Sequence, residues 1–389
     1  NKLVVESVPA FEKYPEMGSK IADFQNKNML LQSVYSTSKI FTQNDSDGHL
    51  ISANIITWNN TWDYLDHAGN SESTSLAGPD VWRKHKEYVW DGAIHAVTGA
   101  YEGFTGEDDG FDWTVGVSQS SNSKWKSVSE TTRYSHFSAP LEVQDINGNK
   151  AATKMGDHHS KIIATANAGY TEMFYSGGEY VVKDAEGNLT DYFDGEVGIG
   201  DGILYNYYGA KHTGDTPVTI RSNEETFVVR PGKTGRYKAS VWAYDNPEVL
   251  TFPTEYVHLK LRVGGTKITY NTQELVRAGD WVLLRFEAEI NAGDKVSIVA
   301  DGDFTATLDD FRLHPIAASM TSYVYNEWDE LTYMMGPNGL ATKYVYDSQG
   351  RLQETWQEVV DTPPSEAYPD GTTGGFKIVS QNEYNYKNR

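Results

Sequence analysis

The sequence contains no cysteine. That excludes a disulfide framework, a thiol nucleophile and a zinc–thiolate site. It leaves the compartment open, because a surface protein that folds without oxidation and a cytosolic protein both tolerate the lack. Long apolar runs are missing too, so no stretch reads as a membrane-spanning helix. Sustained helical stripes are absent, which argues against amphipathic helices. Positive charge is scarce: 33 Lys and Arg stand against 54 Asp and Glu, giving a net charge of −21. Such a chain repels a phosphate backbone, so nucleic acid is not expected as a partner. The acids are dispersed along the chain and read as a solvated surface. The sequence has no Gly-x-Ser-x-Gly elbow, Walker loop, His-Glu-x-x-His or dinucleotide fingerprint. Many carboxylate pairs could be drawn for glycoside hydrolysis, and none stands out.

What is present points to strands and turns. Aromatics make up 13% of the chain, with 25 Tyr and 10 Trp, and there are 35 Gly. Asp-Gly and Asn-Gly pairs punctuate the sequence from Asp47-Gly48 to Asp370-Gly371, and they supply the positive φ of tight hairpins. Between them the apolar pattern has period two. The expected fold class is all-β: an antiparallel, jelly-roll-like β-sandwich flanked by β-hairpin regions. The 389 residues have room for two or three domains. They divide as 1–165, a β-rich region with hairpins; 166–316, the sandwich; and 317–389, a hairpin repeat. Residues 1–165 offer strands at Met29–Tyr35, His49–Trp58, His85–Trp90, Lys126–Tyr134 and Leu141–Gln144. In Arg236–Tyr244, Tyr237, Ala239, Val241 and Ala243 face one way and Lys238, Ser240, Trp242 and Tyr244 the other. Val257–Val263, Trp281–Ile290, Val296–Ala300 and Thr307–Leu313 continue the sandwich. Asp361–Gly375 reads as a linker, and Lys377–Tyr386 as a last strand.

The C-terminal third carries a repeat. Tyr323-Val324-Tyr325-Asn326 returns 21 residues later as Tyr344-Val345-Tyr346-Asp347, with Pro337-Asn338-Gly339 between the copies. Each unit reads as strand, turn, strand, the mark of stacked hairpins. Tyr134 to Lys154 follows the same logic, with Asn147-Gly148 in the place of Asn338-Gly339. The pattern, best seen in Tyr344-Val345-Tyr346-Asp347-Ser348-Gln349-Gly350-Arg351-Leu352, resembles the YD repeat of RHS proteins. Together with Ser129–Gly148, Ala164–Tyr175 and Asp309-Asp310-Phe311-Arg312-Leu313-His314-Pro315, it resembles the layout of large RHS-type surface proteins of Bacteroidetes. There a carbohydrate-binding-module-like jelly roll precedes a few YD units. The resemblance covers roughly residues 125–389 well. It implies a secreted or cell-surface protein, the tail of a longer chain. Two or three YD units are too few for a closed shell, and no toxin-like segment follows them. A non-catalytic structural, adhesive or glycan-binding role is therefore expected. A glycan-active enzyme subunit, or a component docked on an outer-membrane assembly, are the alternatives.

Candidate sites follow from the resemblance and from the residues. Jelly rolls of this kind hold a structural Ca2+ between an early Glu and a late Asp. The similar positions here are Glu179 with Asp309 or Asp310, whose hard oxygens suit calcium. Trp242 and Tyr244, with His258 and Trp281 nearby, form a sugar-stacking platform if exposed, or an interface if a second layer covers them. Trp58, Trp62, Trp82, Trp90, Tyr64 and Tyr88 read as β-core. His158 and His159, adjacent and so on opposite faces of a strand, do not chelate together and read as a solvated loop; Glu107–Asp112 and Asn44–Gly48 lack the spacing of an EF-hand loop and read as turns.

Overall fold

The computed structural model describes residues 1–43, 48–65, 71–73, 81–106, 108, 110–135, 137–157, 160–179, 197–204, 210–245, 258–302, 305–360 and 375–384. His158, His159, the 44–47 turn, Glu107, Asp109, Val257 and nearly all of the 361–375 linker lie outside them. The chain is nearly all β, with antiparallel sheets, as expected. No helix among the described residues is long and apolar enough to cross a membrane. The chain divides into two compact units, Asn1–Asp66 with Ser71–Lys150, and Ala151–Arg389.

The first unit is an antiparallel meander. Its strands are Lys2–Pro9, Ser33–Phe41, His49–Asn59, Arg83–Trp90, Trp125–Ser135 and Pro140–Asp145, each paired with the next. Ser33–Phe41 starts later than the apolar run from Met29 suggested. The chain reaches the sheet only after Leu31, which is 97% exposed, and Ser, Thr and Lys alternate with apolar residues beyond it. One core holds Tyr35, Ile55, Trp82, Tyr88, Trp90, Phe111 and Trp125, with Trp58 partly buried against it. The rings meet edge-on, as in Tyr88–Phe111 at 5.0 Å and Phe111–Trp125 at 5.9 Å, the arrangement that ring quadrupoles favour. Trp62 sits apart with Tyr134, at 4.8 Å.

The second unit combines a sandwich with a hairpin sheet. The larger face of the sandwich runs Ile203–Leu204, Val218–Ile220, Ala306–Pro315, Gly235–Tyr244, Trp281–Ile290, Val276–Ala278, and Phe174–Ser176 also pairs with Ala306–Pro315. The smaller face runs Glu225–Val229, Val296–Ala300, Leu259–Val263, Thr266–Thr269. Tyr237, Ala239, Val241 and Ala243 do point into the core between them, with Val282, Leu284, Phe286, Leu261 and Ile298. Each fully buried Leu, Ile or Phe contributes about 1.5–3 kcal/mol. The hairpin sheet runs Lys150–Gly156, Lys161–Ala166, Met320–Tyr325, Leu331–Met335, Ala341–Tyr346, Leu352–Glu358, Phe376–Gln381.

The outer face of the larger sandwich sheet is covered as well. Trp242, Ala278, Trp281, Leu283 and Met335 form a second cluster, with Leu340 packed on it. Residues of the hairpins therefore close the row that alternation had turned outward. Trp242 has no exposed surface, and its Nε1–H donates to the Gly339 carbonyl at 3.1 Å. The expectation of an exposed sugar-stacking Trp242 is corrected accordingly: its ring offers no face to a ligand. Tyr244 is half-buried against Trp281, with ring centroids 5.5 Å apart.

Candidate functional site

One strand irregularity organises the polar centre of the second unit. In Ala306–Pro315, Leu308, Phe311 and Leu313 all enter the core, so the apolar spacing is three and then two. The register slips at the same place: Ser240 faces Arg312, whereas Trp242 faces Asp309. This is a β-bulge. Asp310 takes φ +51°, a left-handed value that Asp tolerates better than most residues. The bulge keeps Asp309 and Asp310 both out of the apolar core, and both are fully buried.

The loop after Ala210 lies against these acids. The backbone N–H of His212 donates to Asp309 Oδ2 at 3.1 Å, and that of Asp310 to Asp309 Oδ1 at 2.8 Å. Asp310 accepts from the Tyr175 hydroxyl and the Thr213 hydroxyl, each at 2.8 Å. Gly214 turns the loop at φ +62°, which lets the N–H groups of Asp215 and Thr216 converge on Glu179 Oε1 at 2.8 and 2.9 Å. A Cβ at Gly214 would lie inside that carboxylate. The loop therefore gathers Glu179, Asp309 and Asp310, the three residues picked out from the sequence, into one neighbourhood.

Sequence reasoning missed the residue at the centre. The His212 ring bridges two carboxylates, with Nδ1 2.7 Å from Asp310 Oδ2 and Nε2 2.7 Å from Glu358 Oε1. A ring that donates from both nitrogens, one to each carboxyl group, is an imidazolium. Burial alone would lower its pKa, but Glu358 and Asp310 overcome that and lift it to about 10. Trp242 stacks on the ring at 4.1 Å and 24°, a cation–π contact. Glu358 also accepts from the Ala341 N–H at 2.8 Å through its other oxygen. Burial, then the Asp310 charge, raises Asp309 well above the carboxylate range. Burial lifts Glu179 to about 7 against the pull of the Thr216 and Asp215 amides.

Two other contacts extend this joint toward the hairpins. Buried Arg312 donates to the carbonyls of Gly336 at 2.8 Å and Met320 at 2.7 Å. Arg285 donates to the Asn338 carbonyl at 2.9 Å. The centre thus has four carboxylates, one imidazolium and one guanidinium whose charge reaches Asp310. The acidic side chains offer hard oxygens, the donor type that calcium takes. Among the described residues, no three acidic or imidazole side chains stand in a ready coordination cage. The side chains of His212, Asp310 and Glu358 are closed to solvent, at 1%, 0% and 1% exposed.

Comparison with known proteins finds no family model that matches the chain and no curated protein that matches it.

Proposed function

We propose that this chain is a non-catalytic surface protein of RHS type that acts by presenting β-sheet area, in an architectural or adhesive role outside the cell. One observation carries the reading. The strongest convergence of titratable groups among the described residues, His212 with Asp310, Glu358 and Asp309, is sealed from solvent and spent on internal hydrogen bonds. A general acid or base must reach its substrate, and these groups are turned inward, onto one another and onto buried donors of Tyr175, Thr213 and Ala341. The Tyr-Asn/Asp turns that resemble YD repeats supply the second support. A calcium ion held by Glu179 and Asp309, with Asp310, fits this reading as a structural element: it would favour the ionised form of these acids and tighten the Ala210–Thr216 loop.

Two readouts test the proposal. Protease shaving of intact source cells is expected to release fragments of this chain. Incubation of the pure protein with surface polysaccharides is expected to release no reducing ends. Protection of the chain until the cells are lysed would sink the surface location. Turnover lost on changing a single carboxylate would replace the reading with that of a glycan-active enzyme.

A further inference from the structure

The first unit contains a groove that the buried centre does not account for. Its floor is one face of the sheet near the strand Lys2–Pro9. Glu6 lies opposite Thr37 in the antiparallel pair, and Lys39 follows two residues on, on the same face. The Ala100–Gly106 segment also lines it, with Tyr101 and Phe104, as does His49. The cavity measures about 760 Å³, inside the span of about 300–1,000 Å³ usual for ligand clefts.

Its chemistry is mixed in a specific way. Tyr101 and Phe104 are half-buried. Their inner sides rest on Trp90, at 5.0 and 5.3 Å between centroids. The core therefore fixes both rings while part of each remains on the groove. Lining the same groove, Lys39 Nζ and Glu6 Oε2 pair at 3.3 Å. That pair sets a donor beside an acceptor, the complement of two neighbouring hydroxyls, each of which both donates and accepts. The two charges cancel, so a charged ligand gains no unbalanced partner. Ring faces attract the C–H faces of apolar partners. The ligand that matches all three features is flat, hydroxyl-rich, uncharged and several rings long.

We propose that this groove binds a neutral oligosaccharide, with Tyr101 and Phe104 stacking on sugar rings and the Lys39–Glu6 pair holding adjacent hydroxyls. A peptide added as an extra strand would use the edge backbone of Lys2–Pro9 and not this face. The inference deepens the adhesive reading above and rests on it.

The test is titration of the full chain with cellohexaose, xylohexaose, mannohexaose and chitohexaose, followed by tryptophan emission and calorimetry, with a polygalacturonate oligomer as the charged comparison. At least one neutral hexasaccharide is expected to bind and to perturb the emission, since Trp90 lies behind both rings. Tyr101→Ala and Phe104→Ala should each weaken that affinity about tenfold. Lys39→Gln, which leaves the aromatic packing intact, should weaken it without altering the fold. Trp328→Ala, at an exposed hairpin tip of the second unit, should leave it unchanged. No binding to any neutral probe, preference for the polygalacturonate, or affinity indifferent to Tyr101, Phe104 and Lys39 would each overturn the proposal. Surface location with no binding fails the groove alone. Binding by a chain that stays inside the cell fails the surface reading alone.

Discussion

Buried ionisable side chains carry most of what is specific to this molecule. His314 differs from His212 although both are histidines in the same unit. Its ring meets a neutral backbone oxygen: Nδ1–H donates to the Pro315 carbonyl at 2.9 Å. Burial, with the charges of Arg312 and Lys238, pulls its pKa down to about 4. A depressed histidine favours the folded state while neutral. Its contribution is complete above the unfolded value near 6.5 and is lost as pH falls through about 4. The expected loss is of order 3 kcal/mol. Urea titrations at pH 7 and pH 4 should show it, and His314→Gln should remove that part of the acid slope. An unchanged slope in the variant would show that His314 is not the group responsible. At this scale the sequence was only partly legible. Glu179, Asp309 and Asp310 were found through a resemblance, but His212 was not, because nothing local marks it: its partners Asp310 and Glu358 lie 98 and 146 residues away. The Thr213-Gly214 pair after it, a hydroxyl and a residue free to take positive φ, was the only nearby signal.

Turns and strands were more legible, and the structure explains the repeat in physical terms. Five-residue turns starting at Asp145, Asn326, Gly336 and Asp347 share one hydrogen-bond pattern. In each, the first N–H donates to the fifth carbonyl, at 2.9, 3.0, 3.0 and 2.9 Å. The fourth residue has positive φ in all of them: Gly148, Asp329, Gly339 and Gly350. Where the first residue is Asp or Asn, its Oδ1 accepts from the third and fifth N–H groups, as Asp347 does from Gln349 and Arg351. The tyrosine just before reaches elsewhere in the sheet: the Tyr346 hydroxyl donates to the Leu331 carbonyl at 2.8 Å, and Tyr325 to Ile162 at 3.0 Å. The Tyr-Asp pair thus divides its work, with Asp closing the turn and Tyr fastening it to a neighbouring strand. Tyr346→Phe should cost about 1 kcal/mol, and Gly350→Ala about 1 kcal/mol through its positive φ. Asp347→Ala should destabilise and Asp347→Asn should be tolerated. Denaturant midpoints decide all four, and equal midpoints for Asp347→Ala and Asp347→Asn would refute the capping role. The period-two pattern of Gly235–Tyr244 located the core row correctly but not the state of its other row. Alternation assigns faces; it cannot say that Met335 and Leu340 come to cover one of them. The bulge was there to be read in the spacing of Leu308, Phe311 and Leu313.

In the second unit as a whole, sandwich and hairpins are joined by polar bonds from buried side chains as well as by apolar contact. His212 meets Glu358, Trp242 meets Gly339, and Arg312 meets Gly336 and Met320. Such bonds are costly to break singly, because the partner left behind is a buried charge or an unpaired carbonyl. The calcium proposal belongs to this scale. A chelator should lower the melting temperature and added Ca2+ should restore it; an ion at a hundred times its Kd would contribute about 2.7 kcal/mol. Indifference to both would remove Glu179, Asp309 and Asp310 as ligands and leave His212 as the cation of the site. The boundary at residue 150 has a similar origin. Lys161–Ala166 pairs with Met320–Tyr325, a long-range register that local composition does not encode.

The claim on which the rest depends is that the converging acids and imidazole form a joint and not a reactive centre. Calorimetric unfolding of Glu358→Gln measures this directly. Glu358 accepts on both oxygens, from His212 and from the Ala341 N–H, so a carboxamide must turn its NH2 toward one donor and leaves His212 short of a counter-charge. The account predicts a loss of about 3–5 kcal/mol, with sandwich and hairpins melting together at a lower temperature. Unchanged stability in Glu358→Gln, or a hairpin transition that separates while the sandwich melts where it did before, would contradict it.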